Sequence, residues 1–295
     1  MEKVIVIVGP TAVGKSDLAI SIAKHFNGEI INGDSVQVYK ELNIGSAKID
    51  DDQGIKHHLL DYLEIDDPFD VARFQKQARE KIEEITKKGK TAIVVGGTGL
   101  YIKALLYDYN FSNEIENKNN YDEYDNDTLY EMLKKIDSKS CEKIHKNNRK
   151  RVIRALQIAD SGTIKSQQEA LQQHKMLYNA YLIGLTMNRQ RLKERIDYRV
   201  DLMMQAGLEK EVTTLFNKYG YNKRPFSAIG YKEFIAYHQK QATLQECVDL
   251  VKTHTKQFAK RQYTWFNNQM SVNWYDIEEE GYLDKIENDV KEFLR

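Results

Sequence analysis

The sequence predicts an α/β fold, with a P-loop parallel-sheet core, helices on both faces and an inserted helical subdomain. Three observations carry that expectation. Over the first hundred residues, short β-branched runs alternate with amphipathic stretches, the pattern of a parallel sheet whose crossovers are helices. A glycine-rich segment, GPTAVGKS, follows the first of those runs. From Phe111 to about Tyr181 the alternation gives way to polar, Asn-rich and then helical sequence, until YLIGLTM restores a strand-like run. The catalytic-type core is expected at residues 1–111 and 182–295, and the insertion at 112–181.

Taken in order, KVIVIV reads as a buried strand because it is continuously apolar and β-branched. Gly9, Pro10, Thr11, Ala12, Val13, Gly14, Lys15 and Ser16 then complete a GxxxxGKS phosphate loop. Gly9 and Gly14 let the backbone curl so that its amides point inward, and the opening helix adds its positive dipole end. Lys15 supplies a point charge, and Ser16 offers a hydroxyl to Mg²⁺. The segment therefore predicts binding of a polyphosphate or pyrophosphate group. A helix is expected from Ser16 to Phe26, a second strand in EIINGDS, a helix around Val71 to Lys87, and a strand in TAIVVGGTG. From Arg189 onward the chain reads as helical, including a long stretch from Thr243 to about Asn267. Ligands of such sheets sit beyond the carboxyl ends of the strands. GPTAVGKS, NGDSVQVY and GGTGLY each follow a predicted strand, so three loops are expected to converge on one site.

Composition bounds the rest. The 295 residues suffice for a sizeable core. Cys141 and Cys247 are far apart and belong to no CxxC pair, which argues against a zinc site or a disulfide framework. The N-terminus enters the strand without a charged leader, and no apolar run approaches the roughly 18 residues of a membrane span. A cytoplasmic, soluble monomer without a membrane partner is expected. The 44 basic side chains equal the 44 acidic ones, so no global field advertises a nucleic acid. Locally the charges separate: residues 108–127 are acidic, whereas KIHKNNRKRVIR, from Lys143 to Arg154, is strongly basic. The Asn- and Asp-rich stretch 112–127 is the candidate mobile loop.

Asp34, just after the second strand, is a candidate general base, or alternatively an N-cap for the segment that follows. Gly96, Gly97 and Gly99 surround Thr98 and permit close backbone approach to a ligand. Arg191, Arg195 and Arg199 recur every four residues, which suits either a phosphate-binding stripe or a solvated, ion-paired face. In KQFAKRQYTWF, Lys256, Lys260 and Arg261 alternate with Phe258, Tyr263 and Trp265, a mixture for phosphate contact with base stacking or core packing. His57 and His58 lack a metal-ligand set and fit packing or a loop hydrogen bond.

Together GPTAVGKS, NGDSVQVYKELNIGSAK, HHLLD, GGTGLYIKALL, RVIRALQI, RLKERIDYRVDLMMQAGLEKEV, AIGYKEF and KQFAKRQYTWF run in order along nearly the whole chain. This set resembles the tRNA dimethylallyltransferases, also called tRNA isopentenyltransferases. The chain lacks the cysteine and histidine set of the zinc-finger extension of eukaryotic relatives, which fits the bacterial form. It departs from many relatives in having Asp137-Ser138 for Asp-Pro, and His145-Lys146-Asn147-Asn148 for His-Pro-Asn-Asp.

The resemblance implies transfer of a dimethylallyl group from dimethylallyl diphosphate to the exocyclic N6 amine of the adenine 3′-adjacent to the anticodon, tRNA position 37, with release of diphosphate. It implies that the phosphate loop, with Thr11, Lys15, Ser16 and Arg199, holds that diphosphate with Mg²⁺, and that Asp34 orients and deprotonates the amine. Catalytic roles thus fall to Asp34 and Thr98. A channel open to the diphosphate from one side and to a flipped-out adenine from the other is implied as well. Contacts to the anticodon stem-loop are implied for Asp34, Ser35, Val36, Gln37, Thr98, Asn148, Arg149, Lys150, Arg151 and Val152. A small-molecule kinase, using the same loop as a nucleotide- and ATP-binding element, is the rival reading. A GTP-dependent switch lacks its NKxD guanine-reading motif here, and a noncatalytic RNA-binding protein leaves Asp34, Lys15 and Thr98 without a role.

Overall fold

The computed structural model describes residues 1–49, 51–109, 119–167 and 175–295. Its first unit comprises Met1–Leu106 and Leu177–Arg295, and its second Tyr107–Met176. The first unit holds a six-stranded, all-parallel sheet in the order β3-β2-β4-β1-β5-β6. The strands are β1 (Lys3–Val8), β2 (Gly28–Asn32), β3 (His57–His58), β4 (Thr91–Val95), β5 (Asn179–Thr186) and β6 (Asn273–Asp276). β1 pairs with β4 on one side and β5 on the other, which explains its unbroken apolar run: Val4–Val8 are wholly buried. Because β2, β4 and β1 are consecutive in the sheet, the loops that follow them leave from neighbouring carboxyl ends.

The helix α1 (Lys15–His25) begins at Gly14, whose φ of 98° no side chain with a Cβ adopts cheaply. No side chain caps that N-terminus, so its first amides have no side-chain acceptor. Helix α2 (Val71–Lys87) is capped by Asp70, whose carboxylate accepts the Arg73 amide at 2.9 Å, and buries Phe74, Ala78, Ile82 and Ile85. The third helix, α3, covers Gly99–Leu106. After β5 come helices at Arg189–Gln205, Leu208–Tyr219, Phe234–His238 and Leu244–Gln269, then β6 and a last helix at Tyr282–Leu294. Thr243 and Glu246 form a reciprocal capping box at the start of the Leu244–Gln269 helix.

Two expectations are corrected. The insertion does not run from 112 to 181: the units divide at Tyr107 and Met176, and Asn179–Tyr181 belong to β5, paired with Lys3–Ile5. Polar Asn179 hides this extension from a hydrophobicity reading. The chain after Arg189 is not helical throughout either, since Asn273–Asp276 pairs with Ile183–Thr186. Four mixed residues carry little strand signal by themselves, and the open edge of β5 decides their conformation.

The second unit contains helices at Asn126–Ile136, Ser138–Cys141 and Arg149–Asp160. Its own core comprises Tyr121, Leu129, Leu133, Ile144, Val152, Ala155 and Leu156. Buried Asp137 accepts the Ser140 amide at 3.1 Å, the Ser140 hydroxyl at 2.6 Å and the Ser166 amide at 3.0 Å, so it caps one helix and ties down a second segment. Of the candidate mobile loop 112–127, residues 112–118 lie outside the described residues; Asp125 caps the helix that begins at Asn126.

Candidate functional site

The three loops meet in the first unit around two cavities. One, of about 430 Å³, is walled by the phosphate loop and includes Thr11, Gly14, Lys15, Ser16, Gln37 and Arg195. The other, of about 360 Å³, includes Ser35, Val36, Thr98, Ile229, Val251 and Arg261. Thr11, Asp34, Ser46, Ala47, Arg199 and Phe258 line both. A polar, cationic cavity therefore adjoins a more apolar one, with Asp34 and Arg199 at the junction.

Lys15 is folded back onto its own loop, donating to the Pro10 carbonyl at 2.7 Å. Its ammonium pKa is pushed down to about 8, first by burial and then by the Arg199 charge, which Asp34 offsets only in part. An anion placed between Lys15 and Arg199 would relieve both unfavourable effects. Arg199 Nη1 donates to the Thr11 hydroxyl at 3.4 Å. Ser16 is exposed at the first turn of α1, and its hydroxyl makes no hydrogen bond among the described residues. Gly9, Pro10, Ala12 and Val13 contribute backbone, with Val13 packed into the core under the loop.

Asp34 holds the turn that follows it and keeps a second carboxylate oxygen free of that task. Oδ1 accepts the amides of Val36 at 2.7 Å and Gln37 at 3.3 Å, which caps the turn. Oδ2 accepts no hydrogen bond among the described residues and remains available at the cavity junction. Thr98 lines the 360 Å³ cavity, while its carbonyl starts α3 by accepting the Tyr101 amide at 2.9 Å.

The arginine stripe divides. Arg191 pairs with Glu278 at the surface, Arg195 borders the phosphate-loop cavity, and Arg199 points inward to Thr11. Of the aromatics in 256–266, Phe258 lines both cavities, Trp265 packs over Gly99, and Tyr263 lies against Trp274 with 4.8 Å between ring centroids. His57 and His58 form the edge strand, with His58 Nε2 2.7 Å from buried Glu29, so they serve packing.

One residue escaped the sequence reading. Gln262 is buried, accepts the Thr11 amide at 2.9 Å and donates to the Gly97 carbonyl at 3.0 Å, tying the phosphate loop to the GGTG loop. A Cβ on Gly97 would come within 2.0 Å of its Nε2, so any side chain there would displace the Gln262 amide. The available signal was a single amide in a buried stripe with Val251, Ala259 and Phe266 at helical spacing.

In the second unit Asn148, Lys150 and Arg151 are exposed, but Val152 is packed in the core. Arg149 donates to the carbonyls of Tyr121, Asp122 and Tyr124 and to the Asn126 side chain, so its guanidinium is committed to holding 121–126.

A family model described as IPP transferase matches residues 37–269. The chain belongs to the IPP transferase family. It is 47% identical over 99% of its length to a tRNA dimethylallyltransferase of Anoxybacillus flavithermus, of which the match covers 96%. Among solved structures it resembles a tRNA delta(2)-isopentenylpyrophosphate transferase of Staphylococcus epidermidis, at 40% identity, 99% coverage of both chains and a TM-score of 0.75. A eukaryotic dimethylallyltransferase acting on tRNA matches with a TM-score of 0.83 at 32% identity, covering 94% of this chain and 74% of that one. The IPP transferase match begins at Gln37, beyond the phosphate loop, and takes in Ser46, Ala47, Thr98, Arg199 and Gln262. These relatives favour prenyl transfer over the kinase reading.

Proposed function

We propose that this chain is a tRNA dimethylallyltransferase that moves the dimethylallyl group of dimethylallyl diphosphate onto N6 of adenine 37, beside the anticodon. The observation that carries the reading is the junction: Asp34 and Arg199 line both the cationic phosphate-loop cavity and the neighbouring, more apolar one.

The diphosphate fits the uncapped amides at the start of α1, with Lys15, Arg199 and the Thr11 hydroxyl around it. Adenine enters the second cavity past Thr98 and Ser35. The N6 lone pair attacks the allylic carbon, the carbon–oxygen bond breaks, and its electron pair leaves on the diphosphate oxygen. Lys15 and Arg199 stabilise that growing charge, which is stronger in the transition state than in the ground state. Asp34 Oδ2 takes the proton lost by N6. Because the amine lone pair is delocalised into the ring, alignment contributes heavily.

The free Ser16 hydroxyl at the first turn of α1 suits Mg²⁺, which takes few protein ligands and completes its shell with phosphate oxygens and water. Bound there, Mg²⁺ would neutralise leaving-group charge. Lys150 and Arg151 are the exposed cations for stem phosphates, and the second unit is the RNA-gripping part. Its likeness to tRNA-modifying relatives supports a soluble, cytoplasmic protein. Among the described residues no helix is long and apolar enough to cross a membrane.

The test is incubation with Mg²⁺, radiolabelled dimethylallyl diphosphate and unmodified tRNA, with ATP replacing the prenyl donor in a control, followed by nucleoside analysis. Label in one adenosine beside the anticodon is expected. ATP consumption without label would overturn the reading in favour of a kinase.

A further inference from the structure

We propose that Glu211 is a positioning residue for the transfer, acting from the Leu208–Tyr219 helix through the 43–47 backbone onto Gln37 and Asp34. The inference rests on the reading of Asp34 as proton acceptor and adds a distant group that sets its orientation. Glu211 Oε2 accepts the amides of Asn43 at 3.1 Å and Ile44 at 2.8 Å, and Oε1 accepts the Gly45 amide at 3.0 Å and the Tyr231 hydroxyl at 2.9 Å. Three successive amides converging on one site make an anion-binding nest, filled here by a side chain of the same fold. Bonds to an ionised acceptor are stronger and more directional than neutral ones.

The nest is closed behind by Tyr231, which is fully buried. A Cβ at Gly45 would lie 2.6 Å from Tyr231 Cζ, so the backbone approaches the ring as closely as only glycine permits. Immediately after Gly45, the carbonyls of Ser46 and Ala47 each accept Gln37 Nε2 at 3.1 Å. The Gln37 amide in turn donates to Asp34 Oδ1, beside that of Val36. Ser46, Ala47 and Asp34 all line both cavities. A shift of 43–45 is therefore passed to Asp34 through two links, while the phosphate loop and its lysine are tied separately to Pro10 and Gln262.

Glutamine at 211 keeps the size of the side chain but sets an NH₂ group against backbone donors, so the nest opens. The experiment measures single-turnover transfer at saturating substrates for the full chain, Glu211→Gln, Tyr231→Phe, Asp34→Asn and Glu211→Gln combined with Asp34→Asn, with the Kd for dimethylallyl diphosphate measured alongside. Since a misplacement of about 1 Å costs on the order of 10²-fold in rate, Glu211→Gln is expected to slow transfer by at least about 10-fold. The Kd for dimethylallyl diphosphate should stay within about 2-fold, because the bonds that hold Thr11, Lys15 and Arg199 involve neither Glu211 nor 43–47. In the Asp34→Asn background the same change should cost less than about 2-fold, since the group it positions is already gone. A rate loss that persists undiminished in that background, or no loss in the single variant, overturns the proposal. Where Glu211→Gln does not fold, Tyr231→Phe, which removes one of the four bonds, carries the same comparison with a smaller loss. A wild-type chain that transfers no label, or Asp34→Asn at full rate, overturns instead the functional reading on which this one stands.

Discussion

Gln262 accepts the backbone amide of Thr11 at 2.9 Å, so a residue near the end of the longest helix fixes the phosphate loop near the start of the chain. Its other end donates to Gly97, and the amide is thereby satisfied on both sides in a buried position. Replacing it with leucine leaves the Thr11 donor and the Gly97 acceptor unpaired, at about 1–3 kcal/mol each where water cannot reach them. Gln262→Leu is expected to lower the Tm and to raise the KM for dimethylallyl diphosphate, measured by calorimetry and initial rates. A wild-type Tm would show that water satisfies both groups.

Asp34→Asn separates the observed turn-holding role of that residue from its proposed role as base. Asparagine retains an oxygen for the Val36 and Gln37 amides, so the turn survives, but it takes no proton. Turnover should fall by roughly 10²–10⁴-fold, the usual worth of a general base, with tRNA Kd nearly unchanged. Equal loss of both would count against Asp34 as the base. Asp34→Ala, which also loses the turn acceptor, should weaken tRNA binding further.

The pKa of Lys15, pushed down to about 8 by burial and then by Arg199, sets a pH dependence for the free protein. Above that pH the lysine is neutral, so binding the diphosphate must take up a proton and its Kd should rise with pH from about 8 upward. Stability runs the other way. The folded pKa lies below the unfolded value of 10.5, so the unfolded chain binds more protons between the two, and ligand-free stability rises with pH across that window. Lys15→Met should abolish both trends, read by titration calorimetry and by denaturant unfolding at pH 7, 8, 9 and 10.

Acid sensitivity is expected at Glu29. Burial opposes its ionisation, but hydrogen bonds from Lys90 and His58, with the Lys88 charge, hold the carboxyl down at about 2. Its folded pKa is below the unfolded 4.5, so its contribution is complete above 4.5 and is lost as pH falls toward 2. Compared with the wild type, Glu29→Gln should be less stable at neutral pH and should lose less stability between pH 4.5 and 2. Parallel unfolding curves across that range would argue against it.

In the basic stretch of the second unit Lys150 and Arg151 are exposed, whereas Arg149 is committed to the fold. Lys150→Ala and Arg151→Ala should each reduce the slope of log affinity for tRNA against log salt by about 1, with diphosphate binding unchanged. Arg149→Ala should instead destabilise the second unit, because it removes four hydrogen bonds that hold 121–126. Filter binding at several salt concentrations and hydrogen exchange over 119–126 distinguish the two outcomes.

By itself the sequence determined what short stretches of chain decide. The buried strand at Lys3–Val8, the uncapped helix start after Gly14, the Asp34 turn and the helix beginning at Thr243 follow from β-branched runs, positive-φ glycine and capping chemistry within a few residues. Because the phosphate loop is a local structure, its path from β1 into α1 was legible too. Only the tertiary structure decided which distant groups meet. It made Asn273–Asp276 a strand by offering the β5 edge, turned Arg199 inward while Arg191 stayed at the surface, and committed Arg149 to its own fold. It also brought Gln262 to Thr11 and Glu211 to the 43–45 amides, each across most of the chain. Periodicity within a helix tells which face is buried, but not what that face is buried against. The partner of a buried polar group is fixed only when the chain closes on itself and every donor must find an acceptor.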